Sequence, residues 1–450
     1  MRLAILGGGG FRTPLVYGAL LGDTHERRVD EVRLHDVDAA RLAAIERVLA
    51  DQAAGQPDPP RVVATSSLDE ALDGADFVFS AIRVGGLEGR TADERVALDL
   101  GLLGQETTGP GGLSFGLRTV PVAVRVAERV RALAPHAWVI NFTNPAGMIT
   151  EAMQGVLGNR VVGICDSPTA LARRAARSLG LDPADTTVDY AGLNHLGWLQ
   201  GLHHEGRDVL PDLLADDLLL GSMEEAHLLG ADWVRTLGAI PNEYLYYYYF
   251  TRDAVRSATA APRTRGEYLL AQQRDFYQRV TAVEHPFGEW DRVRLQRNAT
   301  YMAEARGDEE RPEEDVEGGG YEGVALALMA AIARGEPATL VLDVRNGGVL
   351  PGLPDDAVVE VPCAVDAGGP RPLPVTPLTG HRLGLVQQVK AVERLVIEAA
   401  LTGSPDRAVE AFALHPLVDS VTVARELLAG YRAHIPEVDA VFRGRVAATR

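Results

Sequence analysis

The chain has 450 residues, of which 46% are hydrophobic and 24% charged, and a formal net charge of −18. That length predicts two domains or one bilobal unit, and the acidity argues against nucleic acid and anionic membrane surfaces as partners. Two cysteines, no apolar run of ~18 residues and a strand that begins at residue 2 predict a cytoplasmic chain without disulfides, membrane helix or secretory signal.

The first 165 residues alternate two periodicities. "RLAIL" reads as a strand ended by four glycines, and "PLVYGALL" has helical spacing. "EVRLHD" is a second strand, and "DAARLAAIERVLA" an amphipathic helix with Asp38 as N-cap. "RVVAT", a short helix over 67–73, "DFVFSAI", a long helix near 119–134, "AWVINFTNPAG", a further helix and "RVVGIC" complete the series. Such alternation predicts an α/β, doubly wound parallel sheet of Rossmann type over 1–168. Beyond about residue 170 the rhythm changes. "TTVDYAGLNHLGWLQGLHHEGRDVL" reads as antiparallel strands with a turn at Glu205-Gly206, and His203 and His204 fall beside that turn. Mixed helices follow to 300, and 306–319 is charged and aperiodic, as in a mobile surface loop. "YEGVALALMAAIARG" is a helix, "ATLVLDVRNGG" a strand and "GLVQQVKAVERLVIEAALTG" a long amphipathic helix. Residues 169–450 are therefore expected to form an α+β domain.

Several motifs carry chemistry. Gly7, Gly8, Gly9 and Gly10, with Phe11 and Arg12, lie between a strand and a helix, where backbone amides can approach a pyrophosphate. The third glycine of the dinucleotide fingerprint is replaced by Arg12. Asp36, ending the second strand, stands where a carboxylate would receive a ribose hydroxyl and repel a 2′-phosphate. Arg83 and Arg90 flank a flexible Gly-Gly at the sheet edge and suit a phosphate or carboxylate, or else are surface groups paired with Glu88, Asp93 and Glu94. "GQETTGPGGLSFG" (104–116) has a polar loop's composition, with Gln105 and Glu106 available to a ligand. Asn144 precedes Pro145 and serves either a ligand or a helix N-cap. Cys165 and His195 end apolar strand-like runs beside Asp166 and Asn194. A thiolate and an imidazole are too few for a closed structural zinc site, but suffice for an open site completed by substrate and water. "IPNEYLYYYYF" sets five tyrosines within 244–249. A strand would put Tyr244, Tyr246 and Tyr248 on one face; a helix would group Tyr244, Tyr247 and Tyr248.

The ordered set "GGGG-x-x-TP", "IRVGGLEGR", "GQETTGPGG", "NFTNPAG", "GICDSP", "GLNHLGW", "IPNEYLYYYYF" and "LDVRNGGVLPGLPDDAVVEVPC" resembles glycoside hydrolase family 4 over nearly the whole chain, and most closely its 6-phospho-β-glucosidases. The resemblance implies NAD⁺ and a divalent metal, usually Mn²⁺, and a second domain similar to that of lactate and malate dehydrogenases. It also implies the chemistry: hydride removal from C3 of the sugar, loss of the C2 proton, elimination of the aglycone, water addition and hydride return. By the same resemblance Cys165 and His195 are the metal ligands and Tyr244 the base, with Tyr247 in reserve. Asp166 assists the aglycone's departure or orients a metal-bound water. Asn144, Arg83, Arg90 and Arg265 hold the substrate, a phosphorylated disaccharide or aryl glucoside, and the chain forms a homodimer or homotetramer. Position 166 is Asp where β-acting members often carry Asn, and position 246 is Tyr where Arg is common. The rival classes are an NAD-dependent dehydrogenase of a sugar or hydroxy acid, which would release NADH, and an NAD-binding regulator without turnover.

Overall fold

The alternating segments form six parallel strands: β1 (Arg2–Leu6), β2 (Glu31–His35), β3 (Arg61–Thr65), β4 (Phe77–Ser80), β5 (Trp138–Asn141) and β6 (Val161–Gly163). They are paired in the order β3-β2-β1-β4-β5-β6, which is the doubly wound arrangement. This is a computed structural model, and it describes residues 1–302 and 320–443. The stretch 306–319, expected to be a loop, lies outside the described residues. β1 shows why its run is apolar throughout. Leu3 and Ile5 pack on one face with the helix Ala39–Gln52, while Ala4 and Leu6 pack on the other with the helix Pro110–Leu133. Asp38 caps the former helix as expected, its Oδ1 accepting from the amides of Ala40 and Arg41.

The sheet does not stop at β6. Its other strands are β7 (Thr186–Leu193), β8 (Leu196–His204), β9 (Arg207–Asp208), β10 (Ile240–Pro241), β11 (Ala338–Arg345), β12 (Val358–Asp366) and β13 (Gly369–Pro372). β11 pairs antiparallel with β6 through Asp343 and Gly163, and the order continues β11-β12-β7-β8-β10. The predicted turn at Glu205-Gly206 joins β8 to β9, both residues having positive φ.

One local reading differs from the structure, and one open alternative is settled by it. The polar segment 104–116 becomes helical from Pro110, because the helix is Pro110–Leu133 rather than 119–134. Gly111 and Gly112 mark close packing there: a Cβ on either would strike the carbonyl oxygens of Gln105 and Thr107. The tyrosine run is helical, with Glu243–Leu245 as a 3₁₀ turn and Tyr246–Tyr249 as a turn of α-helix. The chain finally folds back on its first half. The helices Gly380–Thr402, Pro405–Leu414 and Val421–His434 share a core with Pro110–Leu133, and the Tyr431 hydroxyl donates to the Asp93 carbonyl at 3.2 Å.

Candidate active site

The strand ends set the site. A cavity of about 450 Å³ runs along the carboxyl edge of β1, β4, β5 and β6, where open α/β sheets place ligands. Of the residues given a catalytic, metal, substrate or dinucleotide role in the sequence, all line it except Gly8 and Gly9, within the glycine loop, and Asp36 behind it. Gly7 has φ +81°, and a Cβ there would come 2.6 Å from the Ala81 carbonyl oxygen. A Cβ on Gly9 would come 2.9 Å from Asp36 Oδ2, the atom that accepts the Gly9 amide at 3.0 Å. The loop is thus a backbone cradle that side chains would fill, which fits a dinucleotide. Its outward carbonyls are held by aromatic donors from the second half of the chain. Tyr277 Oη donates to Gly9 O at 2.6 Å, Trp290 Nε1 to Phe11 O at 2.7 Å and Tyr321 Oη to Arg12 O at 3.1 Å.

Cys165 follows β6, and His195 lies in the two-residue turn between β7 and β8, where Leu193 pairs with Leu196. Both line the cavity and both are buried. Burial pushes the His195 imidazole down to about 4, so near neutral pH it keeps a lone pair for a metal. Its Nδ1 lies 3.1 Å from Thr107 Oγ1, and the Thr107 hydroxyl can donate to Gln105 Oε1 at 3.2 Å. With that proton so placed, Nδ1–H donates to Thr107 and Nε2 is left for a ligand, the arrangement usual for metal-bound histidines. Burial, reinforced by Glu360 and Asp166, pushes the Cys165 thiol well up, so only a bound cation would hold it as thiolate. Among the described residues no set of three or more His, Cys, Asp or Glu side chains is grouped for a metal, consistent with two protein ligands and an open site. Asp166 Oδ1 is 4.0 Å from Cys165 Sγ.

Tyr244 stacks on His195 and accepts a hydrogen bond at Oη from Tyr301 Oη, at 2.9 Å. Tyr247 also lines the cavity, 6.2 Å from the Tyr244 ring. Tyr246 instead stacks on Phe250. Glu243, beside Tyr244, accepts from Ser167 Oγ at 2.7 Å, and burial raises its carboxyl to about 7.

The arginines face the cavity rather than lying on the surface: Arg90 is buried, and Arg83 and Arg265 are half-buried. Arg83 Nη1 and Arg90 Nη1 approach the two oxygens of Glu106 at 2.7 and 2.8 Å, and Arg90 Nε donates to Glu94 at 2.8 Å. Burial alone would raise the Glu106 carboxyl; the two guanidinium groups outweigh it and hold Glu106 down at about 2. Arg118 supports this loop from beneath. It makes a two-point bond to Asp93 at 2.9 and 2.6 Å and donates from Nε to Val84 O at 2.9 Å. Arg265 lines the cavity while donating to Thr300 Oγ1 and Arg297 O, at the end of the helix Pro286–Ala299. Asn144 is not the N-cap: Pro145 holds that position without a side-chain cap, and Asn144 faces the cavity.

Sequence reasoning missed Arg297, Tyr301, Thr107 and Glu243. The Arg297 guanidinium stands over the Phe11 ring and makes no ion pair among the described residues. Burial and crowding by Arg12, Arg265 and Arg90 lower it well below the usual arginine range, which marks this end of the cavity as suited to an anion. Its only sequence signal was the density of arginine in "DRVRLQRN". Gln105 was read as a ligand contact; its Oε1 accepts the Thr107 and Thr108 amides, both at 2.6 Å, so it shapes the loop beneath His195.

Comparison with known proteins supplies the family. Residues 2–181 match the model described as "Family 4 glycosyl hydrolase", and residues 190–418 that described as "Family 4 glycosyl hydrolase C-terminal domain". A probable 6-phospho-beta-glucosidase of Bacillus subtilis is 32% identical over 97% of this chain and 98% of its own. The 6-phospho-beta glucosidase of Thermotoga maritima, solved with manganese, NAD⁺ and glucose-6-phosphate, superposes with a TM-score of 0.81. It is 28% identical, covering 97% of this chain and 99% of its own. A 6-phospho-alpha-glucosidase from gut microorganisms, solved with NAD and Mn²⁺, gives a TM-score of 0.79 at 27% identity, covering 96% and 97%. Relatives acting on both anomers thus share the fold along their whole length, and the chain belongs to glycoside hydrolase family 4.

Proposed function

We propose that this glycosidase hydrolyses 6-phospho-β-glucosides such as cellobiose 6-phosphate, using NAD⁺ and Mn²⁺ or another divalent metal. The observation that carries the reading is one cavity joining the glycine cradle to Cys165, Asp166, His195 and Tyr244. The β preference is supported by the B. subtilis and T. maritima relatives, and the cofactors by what the solved relatives contain. Bound NAD⁺ supplies a hydride acceptor and donor at C3, and the cation polarises the C2 and C3 oxygens. This chain's residues do the rest. Gly7, Gly8, Gly9, Gly10, Phe11 and Arg12 cradle the dinucleotide, and Asp36, oriented by the Gly9 and Asp38 amides, accepts from a ribose hydroxyl. Cys165 and His195 hold the cation. Tyr244 takes the C2 proton once the nearby cation has lowered its phenol, which burial alone pushes well up. Asp166 gives a proton to the departing aglycone oxygen. Asn144 holds sugar hydroxyls, and Arg83, Arg90 and Arg265 stand by the 6-phosphate, where Arg297, without an ion pair among the described residues, joins them. Residues 1–168 then serve as dinucleotide domain and 169–450 as substrate and oligomer domain, in a cytoplasmic homodimer or homotetramer. Among the described residues no helix is long and apolar enough to cross a membrane.

The test is release of nitrophenol from p-nitrophenyl 6-phospho-β-D-glucoside and from its α-anomer, with NAD⁺ and Mn²⁺ each present or omitted, while NADH absorbance is followed. Release from the β-anomer that needs both cofactors and leaves no net NADH is expected. Preference for the α-anomer overturns the substrate assignment, and NADH accumulating with substrate overturns the glycosidase mechanism.

A further inference from the structure

Behind the turn that carries His195 lies a buried carboxylate that the reaction above does not use. Glu360 sits in the middle of β12, 1% exposed, and pairs across the sheet with Gly192 of β7, two residues before Asn194. Its Oε1 accepts from Asn194 Nδ2 at 3.2 Å and its Oε2 from Tyr190 Oη at 2.9 Å. Asn194 and His195 are the whole connection between β7 and β8, so whatever fixes one fixes the other. His195 holds φ +61°, a conformation few non-glycine residues adopt and one that persists only when the surroundings over-determine it. Space for this construction is made by glycine: a Cβ on Gly197 would run into the Tyr190 hydroxyl that Glu360 receives. The imidazole itself is gripped from two sides, by Thr107 at Nδ1 and by the Tyr244 ring on its face. The neighbouring Asn194 side chain is held by Glu360.

We propose that Glu360 is a positioning residue for the metal site: through Asn194 it fixes the two-residue turn, and so the direction in which His195 offers its free nitrogen. This rests on the reading of Cys165 and His195 as metal ligands. Outer partners of this kind orient a ligand without touching the ion, and their loss costs about 10–100-fold in metal affinity. The plainer alternative is a satisfied core carboxylate that only stabilises the sheet. The two separate cleanly, because Glu360 has one branch to the turn, through Asn194, and one into the core, through Tyr190.

The experiment measures Mn²⁺ binding by loss of the free-ion EPR signal, with NAD⁺ and glucose 6-phosphate present, alongside Tm. Asn194→Ala is expected to weaken Mn²⁺ about 10–100-fold with little change in Tm. Tyr190→Phe is expected to lower Tm while leaving Mn²⁺ affinity within about twofold of wild type, since it spares the turn. Glu360→Leu should weaken Mn²⁺ as Asn194→Ala does, and Glu360→Gln should restore much of the affinity, because turning either amide keeps the Asn194 bond. If Glu360→Leu does not fold, the Asn194 and Tyr190 variants still decide. Wild-type affinity in Asn194→Ala, or equal weakening by Tyr190→Phe, overturns the proposal. A wild-type protein that binds no Mn²⁺ under these conditions overturns the metal reading and this role with it.

Discussion

The Tyr244 ring lies flat on the His195 imidazole, with centroids 3.7 Å apart and planes within 4°. The proposed metal ligand and the candidate base are therefore placed by one contact, and a cation bound at His195 would act on the phenol at short range. Tyr301 completes the arrangement by donating to Tyr244 Oη, and that bond gains strength when the acceptor becomes a phenolate. Tyr244→Phe should lower turnover by about 10²–10⁴-fold, the usual worth of a general base. Tyr301→Phe should cost about 10–100-fold, a hydrogen bond to a charged group. Exchange of the C2 proton with deuterated solvent, read by NMR, should fall in parallel with turnover in both variants. Unchanged exchange in Tyr244→Phe would move the base to Tyr247.

Asp36 offers a second test. Its Oδ2 receives the Gly9 amide and its Oδ1 the Asp38 amide, so the carboxylate is already oriented at the end of β2. Asp36→Ser keeps a short hydroxyl but removes the charge. NADH affinity should weaken about 10–100-fold, as for loss of a charge-assisted bond, while NADPH, whose 2′-phosphate the carboxylate repels, should weaken far less or bind better. Fluorescence titration with both nucleotides measures the ratio. A ratio unchanged from wild type would remove Asp36 from the ribose site.

Much of this molecule was legible in its sequence, and the parts that were not share a cause. β1 and β4 to β6 were readable because a strand buried on both faces is apolar along most of its length, as in Leu3–Leu6 and Phe77–Phe79, and the half-buried β2 because its apolar and polar residues alternate. The glycine loop, Cys165 and His195 were readable because each interrupts such a run. The 3₁₀ and helical turns of 243–249 were ambiguous, since five tyrosines carry no polar-apolar period. Glu106 and Arg297 were illegible in their roles, because partnership across more than a dozen residues leaves no local trace: Glu106 neutralises arginines that look like free anion receptors, whereas Arg297 looks like a surface charge and faces the cavity. Continuation of the sheet past β6 depended on Asp343 meeting Gly163, a pairing separated by 180 positions in the chain.

Arg118 and Asp93 form an ion pair with both side chains 0% exposed, and Arg118 also holds the Val84 carbonyl. Removing one member strands the other's charge in the core, which costs about 3–5 kcal/mol. Arg118→Met and Asp93→Asn should each lower Tm markedly, and the double variant should lose less than the sum, because the second change relieves the stranded charge. Since Val84 adjoins Arg83, Arg118→Met should also raise KM for a 6-phosphorylated substrate. Additive Tm losses would show the pair to be uncoupled.

Asp343 predicts how stability varies with pH. Its carboxylate oxygens have no hydrogen-bond partner among the described residues, and it sits opposite Glu360 in the β11–β12 pairing. Burial, opposed by Lys390 and reinforced by Glu393, raises its carboxyl from 3.8 to about 8. Between those values the folded chain keeps a proton that the unfolded chain has released. The folded state then binds more protons, so this group's contribution is complete below about pH 4 and is lost as pH rises through about 8. Asp343→Asn carries no such proton and has similar volume. Its Tm relative to wild type should therefore climb steadily between about pH 5 and about pH 8, with the smallest difference at the acid end. Parallel Tm curves for the two proteins would mean that Asp343 stays ionised in the folded chain, held by Lys390 against its burial.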